Sequence, residues 1–211
     1  MTRDGFIERR TAVPQQRRSE KRGDSYVDAA REIVLAEGSD ALTTNAVGLV
    51  VGGSPTAIYR YFSDRVELLD AVIAREHERL EALFATRVRS GIILTERDVL
   101  DCAVLSMVEL RLSASGSLPL ALNSHRQKSG QDHISRFVWS IVTRVFQVTR
   151  VNVDASRIRQ YEHLVTILDA VLVGSTRSAS RPEREKVLAR CHEFLDLVCN
   201  ISAQQKHKGA A

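Results

Sequence analysis

Apolar residues recur at three- and four-residue spacing along almost the whole chain, and alternating runs are scarce, so the pattern predicts an all-α protein. The first stripe is Tyr26, Ala29, Ala30, Ile33 and Val34, which predicts a helix over 24–37 that Gly38 is placed to end as a left-handed cap. Thr43 or Thr44 can cap a brief second helix to Val51, with Val47, Val50 and Val51 turned inward. Gly52 and Gly53 then supply a sharp turn, Ser54 has the chemistry of an N-cap, and Pro55 suits a first helical position, where its missing N–H is not needed. A third, short helix over 55–62 follows. The next opens at Ser63-Asp64, with Asp64 and Glu67 at capping-box spacing, and runs to about Arg89 behind Leu69, Val72, Ile73, Leu80, Leu83 and Phe84. Beyond Gly91, helices are expected near 95–112, 117–128, 131–150, 155–177 and 182–204, divided by Ser-, Gly- and Pro-containing breaks.

The last two helices are apolar on two sides. In the first, Tyr161, Leu164, Val165, Leu168, Val171 and Leu172 form one stripe, and Ile167, Ala170, Val173 and Gly174 add a second surface. In the other, Val187, Leu188, Cys191, Phe194, Leu195 and Val198 are supplemented by Leu197 and Ile201. A helix with two apolar faces needs two partners. One is its own core and the other is expected to be a second copy of the chain in a twofold pair, with Tyr161, Ile167, Ala170, Val173, Gly174, Phe194, Leu197 and Ile201 as interface residues.

The three short helices before residue 68 have a more specific layout. Two helices joined by a tight glycine turn, the second starting at a Ser-Pro cap, are arranged as a helix-turn-helix. Gly48 falls where the helices would cross, Ile58 and Tyr61 point back into a small core, Phe62 packs, and Tyr59 lies on another face. Such a second helix can lie in the DNA major groove with its first residues at base edges, while hydroxyls and helix ends hold phosphates.

Charge complicates that reading. The chain carries a net charge of +4, and residues 1–22 hold seven basic groups (Arg3, Arg9, Arg10, Arg17, Arg18, Lys21, Arg22) and three acidic ones (Asp4, Glu8, Glu20), an excess equal to the whole. This polar tail is expected to be a disordered arm. Residues 24–68 hold three basic groups (Arg31, Arg60, Arg65) and seven acidic ones (Asp24, Asp28, Glu32, Glu37, Asp40, Asp64, Glu67). DNA affinity depends on neutralising phosphates, so Arg17, Arg18, Lys21 and Arg22 are expected to supply cations that the unit itself lacks.

The run from Thr43 to Val72, TTNAVGLVVGGSPTAIYRYFSDRVELLDAV, together with AAREIVLAEG in the first helix, resembles the TetR family of bacterial transcriptional regulators. The resemblance covers about residues 25–72 and rests on the set: a Thr-led helix, a small residue, a Gly turn, Ile-Tyr, an aromatic end, a polar cap, a basic residue and Leu-Leu. It implies an amino-terminal helix-turn-helix domain over 23–68, a helical ligand-binding and dimerisation domain over 69–211, and a ligand-responsive homodimeric repressor on a palindromic double-stranded operator. It further implies phosphate contact by Thr43 or Thr44, base reach by Asn45, an exposed recognition start at Ser54, Pro55, Thr56 and Ala57, the family's tyrosine at Tyr59 with its hydroxyl on the DNA backbone, DNA contact by Arg60, and phosphate contact by Arg65 in place of the usual lysine. Gly48 for alanine, Leu49 for a polar residue and Gly53 for valine depart from the pattern. The effector is unnamed; polar or bulky groups within apolar helices, Met107, Arg111, His125, Phe137, Phe146, Tyr161 and Asp169, are pocket candidates.

Other classes find less support. The motifs G-x-x-x-x-G-K-[ST], G-x-S-x-G and H-E-x-x-H are absent, the six histidines are scattered, and Cys102, Cys191 and Cys199 lack metal or redox spacing. No catalytic residue, cofactor or metal is expected. With no run long enough to cross a bilayer and no secretory leader, the chain is expected in the cytoplasm. The alternative is a helical ligand-binding or protein-interaction module that has lost operator binding, which the acidic first unit favours.

Overall fold

The computed structural model describes residues 14–52, 54–112, 118, 129–175 and, within 185–196, residues 185, 186, 189–191, 193, 195 and 196. The chain divides into two compact units, Met1–Leu68 and Leu69–Ala211. Among the described residues all regular structure is helical. The expected helix near 117–128 falls outside the described residues except for Leu118, and the one near 182–204 is described only at the scattered positions just given.

In the first unit, α1 is Pro14–Glu37, a 3₁₀ turn covers Ser39–Ala41, α2 is Thr44–Val51 and a second 3₁₀ helix is Pro55–Arg60. The apolar stripe of α1 is its buried face: Tyr26 and Ala30 are fully buried, and Ala29, Ile33 and Val34 nearly so. Leu42, Val47 and Ile58 complete this small core from the connection, α2 and the 3₁₀ helix.

Helix α1 corrects the sequence reading of the arm. Residues 14–22 are helical where a disordered segment was expected; residues 1–13 lie outside the described residues. Pro14 suits a first helical position, and Gln15 to Arg22 are good helix formers that extend an existing helix without a new nucleation cost. Gly23 lies beside a ring: a Cβ there would sit 3.5 Å from Tyr61 Cδ1. The helix continues through Gly23, where a side chain would meet only ordinary contact.

Helix α3 is Arg65–Ser90, α4 Glu96–Leu112, α5 Ser129–Thr149 and α6 Ala155–Ser175. In the second unit Leu80, Phe84 and Val88 of α3 join Val99, Leu100, Val104 and Met107 of α4, Phe137, Val138 and Ile141 of α5, and Tyr161, Leu164, Leu168 and Leu172 of α6 in one apolar core. Phe84 meets Phe137 edge to face with ring centroids 5.5 Å apart. Cys102 and Cys191 are buried thiols in the same unit, and burial pushes both above the usual thiol range.

Candidate nucleic-acid interface

Helix α2 is set by its ends. Thr43 is extended and its Oγ1 accepts from Ala46 N at 3.0 Å, satisfying one orphan donor of the first turn. At the other end Gly52 adopts φ 67° and ψ 32°, and its N–H closes the last turn onto Gly48 and Leu49 carbonyls. That left-handed conformation is what a side chain resists and glycine does not. Between the caps, Val47 and Gly48 are buried while Val50, expected inward, is 63% exposed. At 100° per residue Val47, Gly48 and Val51 cluster on one side, and Val50 falls outside that arc.

The next element is tighter than an α-helix. Ser54 Oγ accepts from Thr56 N at 3.3 Å and shares a hydrogen bond with Thr56 Oγ1 at 2.7 Å, and Pro55 opens the 3₁₀ helix. Three residues per turn place Pro55, Ile58 and the capping residue Tyr61 in one row, with Thr56 and Tyr59 in a second and Ala57 and Arg60 in a third. Ile58 is fully buried, and Tyr61 packs against Tyr26 with centroids 5.5 Å apart. The other two rows face out: Thr56, Tyr59 and Arg60 are exposed. Tyr59 Oη lies 3.0 Å from Thr44 Oγ1, so two hydroxyls expected at phosphates are joined to one another on the surface.

At the start of α3, Glu67 N donates to Asp64 Oδ1 at 2.9 Å while Ser63 N donates to Glu67 Oε2 at 2.6 Å, a reciprocal capping arrangement. Arg65, taken in sequence as a phosphate ligand, points inward. Its Nε donates to Leu42 O at 2.8 Å, its Nη2 donates to Ser39 O, and Asp40 lies 3.7 Å away. The guanidinium fork therefore fastens the connection between α1 and α2 to α3. Asn45, Lys21 and Arg22 are exposed, and Arg17 and Arg18 lie on α1. Arg31, the remaining basic residue of 24–68, is buried beside Glu32 at 2.9 Å, so Arg60 is the exposed arginine of that stretch.

A family profile described as bacterial regulatory proteins, tetR family, matches residues 27–72. The chain carries the TetR-family helix-turn-helix. Solved structures extend the likeness to the TetR-family fold as a whole. A TetR-family transcriptional regulator from Streptomyces coelicolor is 21% identical, with 85% of this chain and 98% of that one covered at a TM-score of 0.65. A second from the same organism is 15% identical over 89% and 97% of the two chains, with a TM-score of 0.64. The reduced form of NemR from E. coli is 15% identical over 81% and 95%, with a TM-score of 0.60. No curated protein matches the chain in sequence. The helix-turn-helix matched at residues 27–72 supports a DNA-binding regulator in outline, and the fold likeness adds a carboxy-terminal helical unit.

In the second unit the pocket candidates divide. Met107, Phe137 and Tyr161 are core residues. Arg111 and Asp169 form a buried ion pair with each other, Phe146 is 42% exposed, and His125 lies outside the described residues. Tyr161, expected at a subunit interface as well, is 1% exposed and its hydroxyl donates to Glu96 Oε1 at 2.6 Å. Burial, and then the neighbouring carboxylate, push that phenol well above the usual tyrosine range. Arg157 also donates to Glu96 and stands 6.0 Å from the Tyr161 ring centre, which joins the first turns of α4 and α6. Of the other expected interface residues, Ile167 and Ala170 are exposed, as is Val171; the side chains of Val173, Gly174, Phe194, Leu197 and Ile201 lie outside the described residues. Among the described residues no helix is long and apolar enough to cross a membrane, and no cluster of three or more His, Cys, Asp or Glu is placed to hold a metal.

Proposed function

We propose that the chain is a ligand-responsive repressor that acts in the cytoplasm as a homodimer on a palindromic operator. The observation that carries the DNA-binding half is the outward presentation of Thr56, Tyr59 and Arg60 from a helix held by buried Ile58. A short rod with its first residues free suits base edges, and the caps at Thr43 and Ser54 set hydroxyls where a backbone can pass. Residues 23–68 are read as the DNA-binding domain and 69–211 as the ligand-binding and dimerisation domain. The exposed apolar face of α6, with Ile167, Ala170 and Val171, supports a second copy as the dimer partner. Ligand response is then a shift between two arrangements of the dimer, driven by whatever affinity difference the effector has for them.

The cations of α1 complete the electrostatics. Lys21 and Arg22 are exposed, and with Arg17 and Arg18 they offset the acidic excess of 24–68. A gel shift with the DNA flanking the chain's own gene tests operator binding. Comparison of the full chain with one starting at Gly23 across a salt series tests the cations: the full chain should show the steeper dependence, and equal slopes would sink the arm's role. Ala170→Glu should shift sedimentation towards the monomer. The acidic charge of 24–68 favours a second reading, a module without operator binding, which failure to shift any flanking DNA would support.

A further inference from the structure

Trp139 is the only tryptophan of the chain, and it is 56% exposed on a helix whose other large apolar residues largely face the core. It lies in a groove of about 470 Å³ between α3 and α5, a size suited to a small molecule. The floor is firm, because Phe84 lines the groove and is itself fixed against Phe137. Three arginines line the groove with the indole: Arg89 from the end of α3, and Arg136 three residues before and Arg144 five residues after Trp139 on α5.

The wall charges are unbalanced. Glu81 is the acidic residue among the lining groups, and it is already engaged by Ser140, whose Oγ donates at 2.7 Å. Arg144 holds Gln147 Oε1 through Nη1 at 2.9 Å, while its Nε–H is buried with no acceptor among the described residues. A buried donor of this kind, beside further guanidinium groups and an open aromatic face, matches a planar anion: oxygens for the arginines and a ring for the indole.

We propose that the α3–α5 groove is a binding site for small aryl carboxylates, with the ring against Trp139 and the carboxylate held by Arg136 and Arg144. This goes beyond the operator reading and does not depend on it, because its test needs no DNA. The full chain is titrated calorimetrically with 2-naphthoate and with neutral 2-naphthylmethanol. The acid should bind at least about tenfold more tightly, the scale of one charge-assisted contact. Binding should weaken by a similar factor in Arg136→Gln/Arg144→Gln and in Trp139→Ala. Without any variant, iodide should quench the single tryptophan more efficiently than caesium does, since the surrounding charge attracts anions. Equal affinity for acid and alcohol, retention of affinity in the double arginine variant, equal quenching by the two ions, or no heat with 2-naphthoate at millimolar concentration would each overturn the assignment. None of these outcomes reports on operator binding, so the two readings fail separately.

Discussion

Replacing Arg65 with methionine separates a structural clasp from a DNA contact. The substitution keeps most of the aliphatic stem and deletes the donors to Leu42 O and Ser39 O. The Arg65 side chain is 29% exposed and Leu42 has no exposed surface, so water replaces the lost donors poorly. A hydrogen bond to a charged group is worth about 1.5–3 kcal/mol, and discounting both bonds for partial exposure gives about 2 kcal/mol for the pair. Asp40 is fully exposed and adds little. Urea unfolding of the full chain, with hydrogen exchange at the amides of residues 42–44, should show that loss located in the first unit. Arg65→Lys keeps the charge but lacks the fork, and should fall about halfway. The salt dependence of operator binding should not change, because the guanidinium is already occupied; a phosphate ligand would reduce the log–log slope by about 1. An unchanged urea midpoint in Arg65→Met, together with that reduced slope, would refute the clasp and restore the role implied by the resemblance.

Gly52→Ala should cost about 1 kcal/mol in urea unfolding through backbone conformation alone, because φ is 67° and nothing lies within 4 Å of the added Cβ; a Gly52→Asn variant as damaging as Ala would argue against this cause. Asp169→Asn leaves Arg111 a buried cation beside a neutral amide and should cost about 3 kcal/mol, whereas Arg111→Met/Asp169→Leu should recover much of the loss. Additive losses in that double variant would remove the ion pair as the reason. Asp98 accepts from Leu94 N at 3.0 Å and Thr95 N at 2.8 Å, and these bonds hold its carboxyl below the usual aspartate range. Its stabilising effect is therefore complete above the ordinary aspartate value and is lost as pH falls through the lowered one. The stability advantage over Asp98→Asn should shrink across that acid window, and a constant difference would count against it.

Much of this was legible because the signals were local. The stripe Tyr26, Ala29, Ala30, Ile33 and Val34 is the buried face of α1, the turn glycine at 52 is left-handed, and Asp64 and Glu67 form a capping arrangement. These features depend on spacing and on the conformations that single residues tolerate. What was not legible depended on neighbours distant in sequence. Arg65 read as free because the carbonyls that take it up belong to residues 39 and 42. Tyr161 read as available to two sites because its bond to Glu96 spans the second unit. Val50 was misplaced for a simpler reason: in an eight-residue helix a 60° offset from Val47 is enough to move a side chain from core to surface.

The scarcity of outward cations in 24–68 bears on where such a regulator spends its time in a cell. A chromosome offers an enormous excess of random sequence, and attachment to it is governed almost entirely by phosphate neutralisation. With Arg60 the exposed arginine of that stretch, the proposed phosphate grip falls to the cations of α1, and residues 24–68 themselves add little to it wherever base edges do not match. Fewer molecules are then sequestered along the genome, and a small number of copies can keep one matching site filled.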